Sequence, residues 1–550
     1  MAPALVLCAL LALLSEGPAG QPAPGPAAVR AGGPPSQGGT YRRPLENDPV
    51  TLDPAFVSDI YAFTVLQQIF DGLVQYDESA GIRPCLAQSW KSSRDGLTWT
   101  FQLRRGVRFH HGREMTADDV IYSLTRLLDP RRHVRVGVAD FFLKIRGAKE
   151  FAGGKAVRIE GLRALDPYTF EVVLTEPSAQ FLASLGVANT KIVPREIVER
   201  LGERFGGEPV GTGPFRFVEW QRSRRLVLAA NPDYFGGRPH VDRVEYRVFP
   251  GLATDRILAS FERGELEDSP IPAGERRRFL DRGPYQLVQR PILGMAFLAF
   301  NTAVRPFDDA RVRQAIAYAI DRTEIARTIN QARFIPGSGI LPPGTYGYDP
   351  TFRALPYDPA RARTLLAEAG FPEGRGIPPI QLWSNRKSPE ALAEHEAIAR
   401  YLAALGVKVQ SHYNTNWPDF NAAVYGGKYP MFRYSWYADT PDPHSFLYLL
   451  FHSASPNNLA RYRDPQVNAL LLKAEGELDY MKRAALYRQA ERQIAEQAPI
   501  IVLYFSTYER VFQAYVRGVQ VSALGDPYVP MRSVWLDRGV GPAALRAARP

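Results

Sequence analysis

The sequence predicts a mixed α/β protein, and three kinds of local pattern support that prediction. Apolar and polar residues alternate over 97–103 (L-T-W-T-F-Q-L), as they do on a strand with one buried face. A capping box formed by Thr116 and Asp119 precedes the amphipathic run V-I-Y-S-L-T-R-L-L, which indicates a helix. Two further helices are predicted at 358–370 and 388–406, because each has proline near its start and glycine at its end.

Other segments continue the same pattern along the chain. Alternation over 170–174, after the turn Asp166-Pro167, predicts a second half-buried strand. A helix is predicted from Asp308 through the run R-V-R-Q-A-I-A-Y-A-I. The apolar run I-I-V-L-Y-F at 500–505 is typical of a fully buried strand. No internal repeat is visible.

The composition excludes several classes of protein. The chain has 550 residues, of which 45% are hydrophobic and 23% charged, so it is neither disordered nor fibrous. At about 150 residues per domain, this length corresponds to roughly three or four folding units. The net charge is +10, but the densest basic runs, 276–278 and 131–133, are short, so we expect solvated faces and no nucleic-acid partner. Two cysteines, Cys8 and Cys85, are too few for a cysteine zinc site or a disulfide framework.

The amino terminus has the features of an export signal. The apolar run Leu5–Leu14 is too short to span a bilayer comfortably, so residues 1–20 are predicted to be a signal peptide. No lysine or arginine precedes the run, which leaves a misplaced start codon as an alternative. Cys8 lies inside the run and not at its end, so a lipid anchor is the less favoured alternative. Residues 21–39, rich in Gly, Pro and Ala, are predicted to be a flexible or processed leader of a soluble periplasmic protein.

The glycine-rich and histidine motifs of common enzymes are incomplete in this sequence. Gly153-Gly154-Lys155 is followed by alanine, where a P-loop needs a hydroxyl for Mg²⁺. Gly211-Thr212-Gly213 is followed at once by proline, which fails the dinucleotide-binding fingerprint. His395-Glu396 lacks a second histidine four positions after the first, as a zincin requires. These failures favour a binding protein over an enzyme, and the sequence requires no metal or organic cofactor.

Several ordered segments resemble one family. The run S-W-K-S-S-R-D-G-L-T-W-T-F-Q-L-R-R-G-V-R-F-H-H-G (89–112), followed by M-T-A-D-D-V-I-Y-S-L-T-R (115–126), is similar to the signature region of the family 5 extracellular solute-binding proteins, the oligopeptide- and dipeptide-binding group. His110-His111-Gly112 stands where the family usually shows His-Asp-Gly, a minor departure. Further matches extend the resemblance over about residues 45–530: T-L-D-P (51–54), Q-I-F-D-G-L-V-Q-Y-D (68–77), P-V-G-T-G-P-F-R-F-V-E-W (209–220), N-P-D-Y-F-G-G-R-P (231–239), F-N-T (300–302) and D-A-R-V-R-Q-A-I-A-Y-A-I-D-R (309–322).

The resemblance implies a bilobal, periplasmic-binding-protein-like α/β fold with an extra domain inserted in the first lobe. Ligand would lie between the lobes, which close over it by a hinge motion. Carried onto this chain, the predicted parts are lobe 1 at 40–72, 194–286 and 506–545, the inserted domain at 73–193, and lobe 2 at 287–505.

The same resemblance implies where a ligand would bind. In the oligopeptide binders an aspartate in a W-x-x-D element holds the α-ammonium of the peptide, and here that position is Asp439, after Trp436. An arginine three residues before that tryptophan lines the cleft, and here it is Arg433. A tryptophan nineteen residues upstream lines a side-chain pocket, which corresponds to Trp417. Tyr437 is a further candidate for the wall of such a pocket.

Physical chemistry is consistent with these roles. A desolvated ammonium needs a fixed anion, which a carboxylate in a closed cleft of low dielectric provides better than one in water. Varied side chains need roomy pockets with aromatic walls. From lobe 1, the segment 51–59 would reach the cleft, with Val57 and Ser58 as candidate contacts. Asp59 is the nearest acid there, slightly out of register with the acidic residue of the oligopeptide binders.

Each of these residues could instead have a structural role. Asp439 and Arg433 are spaced so that they could pair with each other. Asp442, which precedes a proline, has the position of a helix cap rather than of a ligand contact. Trp417 and Trp436 are of the type that usually packs in a core.

The sequence therefore predicts an exported, non-enzymatic receptor of an ABC importer that binds peptides and delivers them to an inner-membrane permease. Monomeric behaviour is a family expectation. One alternative is the same role for a non-peptide solute, such as a nickel chelate, haem, an opine, a sugar or an antibiotic. A sensory receptor or chaperone on the same scaffold is a second alternative, and a secreted hydrolase with a dispersed catalytic triad is a third.

Overall fold

The computed structural model of the chain describes residues 34–57, 59–131, 139–251, 253–280 and 284–537. The predicted signal peptide, most of the predicted leader and Ser58 lie outside these residues. Within the described ranges, no helix combines the length and the apolar character needed to cross a membrane.

The described residues form mixed secondary structure. The strands are β1 Thr40–Leu45, β2 Val74–Tyr76, β3 Ile82–Pro84, β4 Ala87–Ser92, β5 Thr98–Leu103, β6 Leu162–Asp166, β7 Thr169–Val173, β8 Phe215–Gln221, β9 Arg225–Ala230, β10 Arg243–Val248, β11 Asp268–Pro270, β12 Tyr285–Phe300, β13 Ile335–Pro336, β14 Ile380–Ser384, β15 Val409–Tyr413, β16 Met431–Tyr437, β17 Ile500–Gln513, β18 Val516–Arg517 and β19 Trp535–Leu536. The helices are α1 Ile60–Ile69, α2 Ala117–Arg126, α3 Ala139–Phe142, α4 Ala148–Ala152, α5 Phe181–Ser184, α6 Arg195–Leu201, α7 Thr254–Glu262, α8 Arg277–Leu280, α9 Ala310–Ala319, α10 Arg322–Glu324, α11 Pro359–Glu368, α12 Pro389–Ala403, α13 Trp417–Tyr425, α14 Leu447–Phe451, α15 Pro465–Gly476 and α16 Tyr480–Gln497.

The elements predicted from local patterns are confirmed. Thr116 and Asp119 form the capping box that starts α2. Asp358 caps α11 and Ser388 caps α12, each with proline in the first turn. The strand predicted at 500–505 is longer than expected, because β17 continues to Gln513 and is buried over nearly its whole length. Its second half contains polar residues that the apolar-run criterion does not recognise.

Three larger sheets organise the fold. Sheet I has the strand order β1-β10-β9-β8, and sheet II has the order β4-β5-β7-β6. Sheet III has seven strands in the order β11-β17-β12-β16-β14-β15, with β13 paired to β17. The pairing in sheet II is antiparallel throughout, whereas sheets I and III each mix parallel and antiparallel pairs.

Each sheet buries its own apolar core. Sheet I and α1 enclose one core, and sheet II and α2 enclose another. Sheet III is covered on both faces, because neighbouring residues of β12 point to opposite sides: Phe297 belongs to one core and Leu298 to the other. The chain therefore folds around several separate cores.

The strands β12 and β17 connect sheet III to the core of sheet I. The first half of β12 pairs with the end of β17, and there Val288 and Phe512 pack with the core of sheet I. The second half of β12 pairs with the start of β17 inside sheet III. The register between the two strands shifts between Pro291 and Met295. This irregularity marks the passage from one core to the next.

A buried acid without a cationic partner stabilises the turn after β13. Glu491 is 3% exposed and accepts hydrogen bonds from the backbone N–H groups of Ile340 and Leu341, at 2.8 and 2.9 Å. Burial raises the pKa of Glu491 from 4.5 to about 7, because the charged form loses hydration. The folded protein therefore binds more protons than the unfolded chain between about pH 4.5 and 7.

We expect the free energy of unfolding to fall as the pH rises through that window, because the raised pKa belongs to the folded state. Glu491→Gln keeps an acceptor for both amides and removes the charge. The variant should exceed the wild type in stability by about 1 to 3 kcal/mol at pH 8 and match it below about pH 4. Urea denaturation at both pH values measures this, with Glu496→Gln, an exposed position on the same helix, as the control. An equal difference at both pH values would contradict the assignment.

Candidate functional site

The candidate site is built on β16 and the loop that follows it. β16 lies between β12 and β14 in sheet III. Tyr437, at its end, stands opposite Gly294 of β12, where a Cβ atom would come within 2.5 Å of the tyrosine ring. The ring therefore occupies space that only glycine leaves free. The backbone N–H of Ala438 then donates to the Leu293 carbonyl at 2.9 Å, which holds the start of the loop to the sheet.

The far end of this loop is held by a buried ion pair. Asp442 accepts a hydrogen bond from the His444 N–H at 2.9 Å, and thereby caps the short turn Pro443–Ser445. Its carboxylate also binds Arg483 through two contacts of 2.7 and 2.8 Å. Trp436 donates from its indole N–H to the Ser445 carbonyl at 2.6 Å. The prediction that Asp442 caps a helical turn is confirmed, and the loop between these anchors has a defined path.

Asp439 lies on this anchored loop and is left without a partner. Among the described residues, its carboxylate makes no hydrogen bond and no ion pair. The side chain is open to solvent, yet enough protein surrounds it that desolvation raises its pKa. A carboxylate in such a recess carries a charge that neither bulk water nor the protein fully compensates, and it would attract a cation.

Two tyrosines from other parts of the chain border the recess. Tyr76 ends β2, and Tyr528 lies on the carboxyl-terminal segment, with the two rings 5.7 Å apart in an edge arrangement. Burial raises the pKa of both hydroxyls, and the negative charge of Asp439 raises both further. Asp439, on the loop after β16, therefore lies near residues from two distant segments of the chain.

The segment that carries Tyr528 is itself held by buried charges. Asp526 binds Arg43, whose strand belongs to sheet I, and it binds Arg510 of β17 at 3.3 Å. Although burial opposes ionisation, the two guanidinium groups hold the pKa of Asp526 below its ordinary value. Tyr76 and Tyr528 also line a cavity of about 500 Å³, with Gln67, Tyr234 and Arg532 among its other walls.

Arg433 has its own partners and does not pair with Asp439. It is buried, lies 3.4 Å from a Glu394 carboxylate oxygen, and donates to Ser435 and Tyr504 at 2.7 Å each. The alternative of an Asp439–Arg433 ion pair is therefore wrong. This arrangement keeps the guanidinium fixed on β16 while Asp439 remains free.

Arg433 also lines a small cationic cavity of about 60 Å³. Arg333 and Arg386 contribute to the same wall, and Arg333 lies 3.3 Å from Glu509. The exposed guanidinium of Arg386 has no hydrogen-bond or ion-pair partner in the described part of the chain. Glu390 and Glu394 line the cavity as well and offset part of this charge, so the Arg386 guanidinium is the group most open to an anion.

The aromatic candidates differ in their exposure. Trp417 begins α13 and is 49% exposed, with its ring centroid 5.8 Å from that of Tyr434, so the alternative that it is a core residue is wrong. Tyr437 is 56% exposed, and Trp436 is half-buried. Tyr434 is buried and donates to Asn421 at 2.7 Å. Three aromatic rings thus lie at least partly open next to the loop of Asp439.

The lobe 1 candidates are placed differently. The side chain of Val57 is buried in the core of sheet I, and its carbonyl accepts from Asn189 at 2.9 Å. Asp59 caps α1 by accepting from the Ala62 N–H at 2.7 Å. Ser58 is outside the described residues. The Val57 side chain is thus turned inward, and it does not line a cleft.

Sequence reasoning did not identify Tyr76, Tyr528, Arg333 or Arg386 as site residues. None of them lies in a motif whose spacing indicates binding. They reach the site only through contacts between distant segments, so no local signal in a single sequence would reveal them. Metal binding has no evident place either: among the described residues, no cluster of three or more His, Cys, Asp or Glu could hold a metal ion.

Comparison with known proteins places the chain in a family. Residues 81–458 match the model of the bacterial extracellular solute-binding proteins, family 5. Heme-binding protein A of Haemophilus influenzae is 32% identical over 87% of this chain and 89% of its own length. Di/tripeptide-binding protein 2 of Pseudomonas aeruginosa is also 32% identical, over 83% of this chain and 88% of its own.

A solved structure shares the fold. The ABC transporter-associated periplasmic binding protein DppA from Helicobacter pylori, in complex with the peptide STSA, superposes with a TM-score of 0.75 at 27% identity and covers 92% of this chain and 99% of its own. The predicted bilobal α/β class is thereby confirmed. The family model spans well over half of the sequence, and both relatives extend over most of it. The chain belongs to the family 5 bacterial extracellular solute-binding proteins.

Proposed function

We propose that this protein is the exported substrate-binding component of an ABC importer, which captures peptides between two closing lobes and delivers them to an inner-membrane permease. It would act in the periplasm after removal of residues 1–20, and it would bind its ligand without chemical conversion. The names of the di/tripeptide-binding relatives and the peptide held by the Helicobacter structure support this proposal.

The division into lobes that the family resemblance implies is also part of this proposal. We propose lobe 1 at 40–72, 194–286 and 506–545, the inserted domain at 73–193 and lobe 2 at 287–505. Sheet I lies in lobe 1, sheet II in the inserted domain and sheet III in lobe 2, apart from the strands that cross between the parts. This distribution supports the division. The register shift in the β12–β17 pair supports a hinge near the proposed boundaries, because a break in strand pairing eases bending.

The observation that carries the peptide proposal is the uncompensated carboxylate of Asp439. The buried charges on either side of it in the sequence, at Arg433 and Asp442, have protein partners. Asp439 has no such partner among the described residues, and its recess is bordered by Tyr76 and Tyr528. A desolvated α-ammonium is the peptide group that such a site would bind most strongly, because a charge-assisted bond gains strength in low dielectric.

We propose that the cationic cavity binds the carboxylate end of the peptide. We assign to Arg433, together with Arg386, the attraction of the ligand's carboxylate. Arg433 lies six positions before Asp439, so the chain between them spans at most about 20 Å. A free peptide of a few residues carries its two charges within that reach. Opposite charges at the two ends would orient the peptide along β16.

Aromatic side chains would receive the peptide's own side chains. Trp417, Trp436 and Tyr437 are at least partly open beside the loop, and such surfaces accept varied apolar groups. On the lobe 1 side, we assign main-chain contacts to Val57 and Ser58, in the manner of strand addition.

A non-peptide solute is the second candidate, and one specific observation favours it. The relative named for haem binding is as similar to this chain, at 32% identity, as the relative named for di- and tripeptides. The cavity of about 500 Å³ beside Tyr76 and Tyr528 would also accommodate a ligand larger than a dipeptide.

Asp439→Asn tests the ammonium role. The substitution keeps the size of the side chain and removes its charge, so peptides of two to five residues should bind about 30- to 1,000-fold more weakly, a loss of about 2 to 4 kcal/mol. Isothermal titration calorimetry measures the dissociation constants. Asp419→Asn, at an exposed position in the first turn of α13, should leave them unchanged.

N-acetylated versions of the same peptides complete this test. They lack the ammonium, so they should bind the wild type weakly and the Asp439→Asn variant to a similar degree. Equal affinity of wild type and variant for free peptides would contradict the assignment of Asp439.

Native mass spectrometry of protein purified from its own host distinguishes the two ligand classes. We expect a set of short peptides of mixed sequence, released on denaturation, and no tight binding when haem is added to the emptied protein. A single porphyrin or another non-peptide solute would contradict the peptide proposal and leave the receptor role intact.

A further inference from the structure

The part of the chain that contains sheet II contacts helix α15, which packs in a core of sheet III. Lys144, between two residues of the sheet II core, forms an ion pair with Glu475 near the end of α15, whose own core belongs to sheet III. Glu176, on the same side as Lys144, lies 3.0 Å from the ammonium. Of these two acids, Glu176 belongs to the same part of the chain as Lys144, whereas Glu475 belongs to the part that contains sheet III.

The ion pair is largely shielded from water. The side chains of Lys144 and Glu475 are 19% and 16% exposed. Although burial opposes its charge, the two carboxylates hold the pKa of Lys144 above its ordinary value. Shielding strengthens an ion pair relative to one on the open surface, where the gain is commonly small.

Other contacts surround this pair along the same edge. The Ala179 N–H donates to the carbonyl of Glu475 at 3.3 Å. The rings of Phe141 and His444 lie 5.6 Å apart, and His444 belongs to the turn that Asp442 caps. The Leu478 side chain lies against Gly96, so closely that a Cβ atom there would come within 2.6 Å of it. The edge is thus a packed interface and not a single surface ion pair.

Sheet II is joined far more firmly to sheet I. Arg126 of α2 binds Asp53 through two buried contacts of 3.0 and 2.6 Å. Asn189 donates to the carbonyls of Pro54 and Val57, and the His110 N–H donates to the Gly211 carbonyl at 2.8 Å. The chain also enters and leaves sheet II from segments of sheet I. A hinge motion that separates sheet I from sheet III would therefore carry sheet II along and break its edge contact with α15.

We propose that the contact of Lys144 and its neighbours with Glu475 is a latch, which forms only when the lobes close and which stabilises the closed state. The proposal rests on the two-lobe capture described above. It makes the inserted domain a determinant of the closing equilibrium through residues remote from Tyr76 and the recess of Asp439. The apparent affinity for a ligand equals the affinity of the closed state multiplied by the fraction of ligand-free protein that is closed. The latch would therefore raise the apparent affinity for every ligand by the same factor.

The matched pair Glu475→Gln and Glu176→Gln tests the latch. Both remove a carboxylate from Lys144, but only the first breaks the link across the cleft. Glu475→Gln should raise the dissociation rate of bound ligand roughly five- to twentyfold, with little change for Glu176→Gln. In a Glu176→Gln background, which avoids repulsion at position 144, the charge exchange Lys144→Glu with Glu475→Lys should restore most of the loss.

Closing can also be followed without any ligand, which separates this proposal from the assignment of peptides. Labels at Lys155→Cys and Lys387→Cys in the protein without residues 1–20, with the buried Cys85 retained, report the separation of the inserted domain from lobe 2 by fluorescence transfer. Ligand-free Glu475→Gln should show a smaller closed fraction than Glu176→Gln, with an unchanged thermal midpoint.

Two results would overturn the proposal. One is an identical closed fraction in the two variants. The other is a loss of thermal stability in ligand-free Glu475→Gln that exceeds that of Glu176→Gln, because it would show a permanent structural contact. If the closed fraction shifts as expected while no peptide binds, the latch stands and the peptide assignment fails.

Discussion

The pairing of β12 with β17 is the constraint on which the rest of the structure depends. These two long strands are shared by the core of sheet I and the cores of sheet III, so they carry the chain between the two sides of the molecule. Their register breaks between Pro291 and Met295, close to where the candidate site lies. Gly294, within that irregular stretch, leaves room for Tyr437 and so sets the path of the chain into the loop of Asp439. The candidate site thus lies beside the irregular stretch of the β12–β17 pairing, where the chain passes from the core of sheet I to the cores of sheet III.

The contrast between satisfied and unsatisfied charges identifies the candidate site. Buried ions in a folded protein are normally paired, because an isolated charge loses too much hydration energy. Arg433, Asp442 and Asp526 follow that rule. Asp439, which is open to solvent, has no partner among the described residues, and the paired residues before and after it hold its loop. An unpaired carboxylate held in place by its neighbours is what capture of a cationic group requires, because little reorganisation remains to be done on binding.

The part of the chain that contains sheet II contacts both of the other parts. Its buried ion pair and hydrogen bonds with the segment before α1 tie it to sheet I, while its edge meets α15 through side chains and one backbone hydrogen bond. A binding protein that closes over its ligand has to balance the open and closed states within a few kcal/mol, and contacts far from the ligand contribute to that balance. The turn that joins Asp442 to His444 links the candidate site to this edge, so the loop of Asp439 and the contact with Phe141 share one short segment.

Local patterns in the sequence by themselves determined many elements of this protein. Alternation and capping were sufficient for β5, α2, α11 and α12, because side-chain periodicity and cap chemistry act within a few residues. The ordered motifs were sufficient for the family, since they extend over most of the chain. Only the tertiary structure decided that Arg433 pairs with Glu394 and leaves Asp439 free, that Val57 turns into a core, and that Tyr76 and Tyr528 border the recess. Those outcomes depend on contacts between residues tens to hundreds of positions apart, and desolvation and charge pairing arise only when such residues are brought together.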